Sequence, residues 1–288
     1  MAFESEALMR YRVPEARQTL SARDCILYGL SVGAGSDPGD ARQLRFVYER
    51  DLRALPMMAN VLAHPGFWVR EPGAGIDWRK VVHGEQSLTL HRRLPTHGEL
   101  VGKTRITAIV DKGAARGAFV YSQRDVVDAA SGEPLCTLTQ TNVCRGDGGC
   151  GSQGTPPEPQ PAAPRGAPDL VIETAIAPHA ALLYRLNGDT NPLHADPEAA
   201  RAVGFERPLL HGLCTFGMAG LGILGECCDY DESRVRHMRV RFTAPVFPGE
   251  TLRTEVWRDA GLWFRTHVVE RGVVALDNGR IEFGEAQP

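Results

Sequence analysis

Asp189 and His194 lie five residues apart in the densest polar cluster of the chain, residues 184–197. That stretch also holds Gly188, Asn187, Asn191, Asp196, Pro192 and Pro197, so it reads as a loop. A bent loop with Pro192 stiffening its turn can bring a carboxylate and an imidazole to one point. Such a pair gripping one water is an acid–base unit: one member takes a proton while the other delivers one. The same residue types also suit a turn with Asx caps and a surface histidine. Further on, His211-Gly212-Leu213-Cys214 opens an apolar segment, 209–224, that reads as a helix. Backbone amides at a helix start are free and favour negative charge, and Gly212 has no side chain to screen them. This suits an oxyanion site for a carbonyl. A water-activating pair beside a polarised carbonyl suits addition of water to a conjugated carbonyl, or its reversal.

The elements that must position these groups come in two sets. Residues 146–168 contain six glycines and six prolines in 23 positions. They cannot form a helix or a central strand and are read as an interdomain linker. The predicted domains are therefore 1–145 and 169–288. Across the linker the halves echo each other: Tyr28-Gly29-Leu30 with Tyr184-Arg185-Leu186, Pro56 with Pro208, Gly98-Glu99 with Gly249-Glu250. The order is constant and the offset nearly so, which points to duplication. Each half is expected to have one helix (55–63 and 209–224) followed by strands. The strand candidates are Leu88 to Leu94, 104–110, 118–127 and 135–143, then 237–244, 251–258, 262–270 and 273–276. Asp277-Asn278-Gly279 is expected to turn a hairpin into 280–283. One helix and then consecutive strands is an α+β order with an antiparallel sheet, not a parallel one.

Composition narrows the functions. The chain has 288 residues, 43% apolar and 23% charged, so it can pack a core. Net charge is −3 without a basic block, which disfavours nucleic acid as a partner. The longest uncharged apolar run is too short for a membrane span, and no secretory signal is read. Seven cysteines without a Cys-x-x-Cys suggest free thiols, and a cytoplasmic protein is expected. No metal is expected, since the other histidines show no ligand spacing. Gly220-Leu221-Gly222-Ile223-Leu224-Gly225 fits the dinucleotide-binding pattern, but the run before it reads as helix and no acid follows at a strand end. Those glycines are read as helix-packing positions. Arg234, Arg236, Arg239 and Arg241 suit a solvated strand face, or phosphate contacts.

Residues 184–197 resemble the signature of the (R)-specific 2-enoyl-CoA hydratases, or hydratase 2, within the MaoC-like dehydratases. His211 to Cys214, 241–250, Phe46-Val47-Tyr48-Glu49 and His83-Gly84-Glu85-Gln86 also look like that family. The resemblance implies a double hot-dog fold, in which each half wraps an antiparallel sheet around one long helix. It implies catalysis in the second half only, with the first half accommodating the acyl chain. Asp189 and His194 would be the catalytic pair, Asn191 would orient the site and the Gly212 N–H would bind the thioester oxygen. Tyr184, Asp196 and His211 would support the loop, and Glu49, His83 and Glu85 are possible first-half contributors. The implied reaction is syn hydration of a trans-2-enoyl-CoA to a (3R)-3-hydroxyacyl-CoA, without a cofactor, coenzyme A being part of the substrate. A homodimer is the implied assembly. A hot-dog thioesterase and a non-catalytic acyl-thioester binding module are the alternatives.

Overall fold

The computed structural model describes residues 3–259 and 261–287. Among them are helices α1 (Ser5–Arg10), α2 (Ala22–Ser31), α3 (Ala180–Tyr184), α4 (Pro197–Ala202) and α5 (Gly212–Cys228). The first-half strands are β1 (Ala16–Leu20), β2 (Val81–Leu90), β3 (Gly98–Asp111), β4 (Ala118–Asp128) and β5 (Pro134–Cys144). A two-residue strand, β6 (Gln153–Gly154), lies in the linker. The second half has β7 (Leu170–Ala175), β8 (Val235–Phe242), β9 (Thr251–Trp257), β10 (Leu262–Val268) and β11 (Val273–Phe283).

The strands form one antiparallel sheet in the order β1-β3-β4-β5-β2-β8-β11-β10-β9-β7, with β6 on β3. The order reads as one five-stranded pattern and its mirror image, so the duplication seen in the echoes is also topological. The halves join where β2 pairs with β8, from Glu85 opposite Arg241 to Thr89 opposite His237. This is the double hot-dog arrangement. The linker runs against the sheet: Ala163 is buried between Trp257 and Trp263, and Trp257 Nε1 donates to the Gly166 carbonyl at 2.9 Å.

Only one long helix occupies the core. α5 spans 17 residues because no proline interrupts it, and it is buried on nearly every side. Its glycines admit first-half side chains. A Cβ on Gly217 would stand 2.6 Å from Val32 and 3.0 Å from the Tyr28 hydroxyl, and one on Gly220 would meet Met57 at 2.9 Å. The pattern Gly220 to Gly225 is thus helix interior, as expected.

Two expectations need correction. The first half has no long helix: over 55–63 the chain makes only a 3-10 turn, Pro56–Asn60. Ala63 takes a positive φ of 42°, and Pro65-Gly66 follow, so neither hydrogen bonding nor φ permits further helical turns. Residues 277–279 do not turn a hairpin. They lie within β11 as a bulge, with register shifting between Asp277 and Arg280 and Asn278 at φ 52°. The Asp277 carboxylate pairs there with Arg265 at 2.8 Å.

Candidate active site

Two loop segments converge at the start of α5. Residues 184–197 run from the end of α3 through 3-10 turns at Arg185–Asn187 and Pro192–His194 into α4. The loop's own carboxylates and amides shape it. Asp189 Oδ1 accepts from Asn191 N–H at 3.2 Å, Asn191 Oδ1 from Leu193 N–H at 3.1 Å, and Asp196 Oδ1 from Glu198 N–H at 2.8 Å. The Asx-cap alternative is therefore present, and it coexists with the pairing it was weighed against. Residues 207–211 fasten the loop to the core: Leu209 N–H donates to Leu193 O at 3.2 Å, and Leu210 N–H to Val246 O at 2.8 Å.

The donor atoms of Asp189, His194 and His211 all lie within 4.8 Å of one another. His194 Nδ1 is 2.9 Å from the Leu209 carbonyl. A carbonyl can only accept, so Nδ1 carries the proton and Nε2 keeps its lone pair. The His194 ring stacks on that of His211, with centroids 3.7 Å apart, and His211 rests on Tyr184 at 4.9 Å. His211 Nε2 lies 3.3 Å from the Asp189 carbonyl oxygen and donates to it. Burial lowers the pKa of both imidazoles, that of His211 to about 4, with His194 adding to the shift of His211 as a neighbouring positive charge would. Both are neutral near pH 7.

Gly212 is the first residue of α5, and its amide has no intrahelical acceptor. A Cβ at Gly212 would meet the Phe242 ring at 3.1 Å. On its other side Phe242 packs against His83, with ring centroids 4.6 Å apart. His83 is held by Gln86 Oε1 at 3.1 Å and senses the Asp189 charge, while burial lowers its pKa to about 4. Gln86 in turn donates to Asn60 Oδ1 at 2.9 Å.

The structure thus brings Asp189, His194, His211, Tyr184, Gly212 and His83 together, with Asn191 shaping the loop from within. Asp196 caps α4 and is exposed. Two first-half candidates are not brought in. Glu49 is exposed and makes none of the side-chain hydrogen bonds found among the described residues. Glu85 stands opposite Arg241 across the β2–β8 seam, on the strand face away from Gln86. The Leu209 carbonyl and Phe242 are the parts of the site that residue types alone do not announce. Three of the four arginines of 234–241 make local contacts: Arg234 lies over Phe283 at 6.0 Å, Arg236 donates to the Ser233 carbonyl at 2.8 Å, and Arg239 stacks over Trp263 at 5.6 Å. All seven cysteines are free. Among the described residues no helix is long and apolar enough to cross a membrane.

A double hot-dog whose second half alone keeps the Asp–His loop before the central helix defines the MaoC-like dehydratases and hydratases 2, and the chain belongs to this family. Residues 160–278 match the MaoC like domain, and residues 19–146 match the MFE-2 hydratase 2 N-terminal domain. The chain is 37% identical to the peroxisomal enoyl-CoA hydratase 2 of Arabidopsis thaliana, over 95% of this chain and 94% of that protein. It is 37% identical to 3-hydroxyacyl-thioester dehydratase Y of Mycobacterium tuberculosis, covering 91% of this chain and 92% of the relative. The crystal structure of a MaoC-like dehydratase from Phytophthora capsici superposes with a TM-score of 0.85 at 33% identity, covering 97% and 98% of the two chains.

Proposed function

We propose that the protein catalyses reversible syn hydration of a trans-2-enoyl thioester, coenzyme A being the carrier, to the (3R)-3-hydroxyacyl thioester. The observation that carries this is the meeting of the Asp189 carboxylate and the neutral His194 imidazole beside the free amide of Gly212. The thioester carbonyl accepts from Gly212 N–H, which draws electron density from C3 and steadies the enolate that forms. One water donates to the Asp189 carboxylate and to His194 Nε2. Its oxygen bonds to C3 as the pair takes its proton, and the pair returns a proton to C2 on the same face. One water is consumed and the acid–base pair is restored. The two groups share one proton inventory, so they titrate as a unit.

The first half holds no long helix among its described residues and lines a small cavity that reaches Leu213, the neighbour of Gly212. We assign it acyl-chain accommodation, with 146–168 as the linker between the domains. The test is loss of enoyl-thioester ultraviolet absorbance with crotonyl-CoA and longer 2-enoyl-CoA substrates, coupled separately to (R)- and (S)-specific 3-hydroxyacyl dehydrogenases. Coupling to the (R) enzyme alone is expected. Release of free thiol with a saturated acyl-CoA would replace this function with thioester hydrolysis.

A further inference from the structure

In the second half, α5 covers the concave face of the sheet. In the first half the chain crosses that face without a long helix: beyond the 3-10 turn that ends at Asn60, Trp68 and Val69 pack with Ile106 and Val120. Alternation along a strand with one covered face should bring apolar side chains inward. Val120 and Val126 of β4 and Leu88 and Leu90 of β2 comply. Between them the inward positions turn polar. Thr104 pairs with Arg124 and Arg124 with Leu138; in the next row Ser122 pairs with Gln140 and Gln140 with Gln86. These residues line a small cavity of about 20 Å³, whose wall also includes Leu213, the neighbour of Gly212. The cavity is narrow, with room for one small polar group, and touches the start of α5 through Leu213.

Arg124 is 7% exposed. Its Nη2 donates to the carbonyls of Ala59 and Asn60, at 3.3 and 2.7 Å. Its Nε and the Thr104 hydroxyl are buried and have no partner in the chain. Among the described residues no carboxylate pairs with this guanidinium, and burial pulls its pKa down only to about 10, so it stays charged. A buried cation held by carbonyl dipoles alone costs stability that an apolar residue of that size would not. A forked donor set open on one side matches a carboxylate.

We propose that this cavity reads the far end of the acyl chain, and that the preferred substrates carry a carboxylate there, paired with Arg124 and accepting from the Thr104 hydroxyl. The proposal rests on the thioester chemistry assigned above to Asp189, His194 and Gly212. A methyl-ended chain reaching the same place would leave the guanidinium dry and unpaired.

Saturated CoA thioesters bind without being hydrated, so calorimetry separates recognition from turnover. The pairs to compare are butyryl with succinyl, hexanoyl with adipoyl, octanoyl with suberoyl, and decanoyl with sebacoyl. At one length or more the ω-carboxy thioester is expected to bind wild type at least about tenfold more tightly, as a charge-assisted pair allows. Arg124→Met should reduce that preference to about twofold or less, with affinity for the methyl-ended partner unchanged or improved. Thr104→Val, which removes one donor and keeps the shape, should weaken the preference about threefold and stands in if Arg124→Met fails to fold. Absence of preference at every length, or its survival in the variants, overturns the proposal. Hydration of trans-2-hexenoyl-CoA by wild type, measured alongside, reports on the catalytic assignment alone: hydration without preference sinks only the carboxylate site, and preference without hydration sinks only the hydratase.

Discussion

Tyr28 and Tyr184 stand at matching positions of the two halves and pack on each other, with ring centroids 6.1 Å apart. Three residues further along, Asn187 Nδ2 donates to Ser31 Oγ at 3.0 Å, again a matched pair. The duplicated segment thus makes contact with its own counterpart. In the second half Tyr184 is the floor under His211, while in the first half Tyr28 stands against α5 at Gly217. Tyr28→Ala should cost about 3–5 kcal/mol in urea unfolding, as for other large buried aromatics. It should also lower hydratase activity, because the floor of the site loses its backing.

Asp189 is exposed and its removal leaves no core defect. Asp189→Asn should shift stability by no more than about 0.5 kcal/mol. The hydration rate should fall about 10²–10⁴-fold, the range of a lost general acid–base group. Equal loss in (R)-coupled kcat and kcat/KM would place the effect in the chemical step.

Part of the acid sensitivity should trace to the stacked imidazoles, with His83 contributing in the same sense. Their folded pKa values lie below the ordinary value of 6.5, so the unfolded chain binds more protons as pH falls from there. Stability is therefore full above about 6.5 and declines towards pH 4, by about 3 kcal/mol from His211 alone. His211→Phe keeps the ring stack without the titration. Its melting temperature should vary less than that of wild type between pH 7 and pH 4.5, although its value at pH 7 falls through loss of the bond to the Asp189 carbonyl.

Gly212 touches the Phe242 ring at the place a methyl would occupy. Gly212→Ala should displace either the ring or the amide. A drop in kcat of about 10²-fold is expected if the amide is an oxyanion donor. Adding Phe242→Leu should recover part of it by making room. A Gly212→Ala enzyme with wild-type kcat would remove this amide from the mechanism.

Gly217 is tighter still, 2.6 Å from Val32 for an added Cβ. Gly217→Val should destabilise by about 1–3 kcal/mol or more, the cost of overpacking a filled core. Gly217→Val combined with Val32→Ala should be less unstable than the two single effects added, measured by urea unfolding of all four proteins.

Much of the fold and of the site is legible in the sequence. Local signals carried it: the loop of 184–197 announces itself by its prolines and Asx residues, and the start of α5 by His211-Gly212 before an unbroken apolar run. The strands alternate, and the echoes point to duplication, while the single mirrored sheet is set by the β2–β8 pairing that no local signal carries. The missing helix of the first half was hidden because 55–63 is as apolar as 209–217, although Pro65-Gly66 already limited it. The bulge at Asn278 carries the same residues as a hairpin turn, and only pairing with β8 and β10 decides between them. His194's tautomer depends on a carbonyl 15 residues away, which no spacing rule supplies. Arg124 had a signal, a charge in step with Val120, Ser122 and Val126, but its want of a partner is a property of the folded chain.

The β2–β8 seam has one more consequence. Backbone pairing in mid-sheet joins the halves, so they have no hinge between them and cannot gape open and shut as separate lobes do. A cut in 146–168 would sever the chain and leave the two pieces zipped together, so a nicked preparation should work as one enzyme.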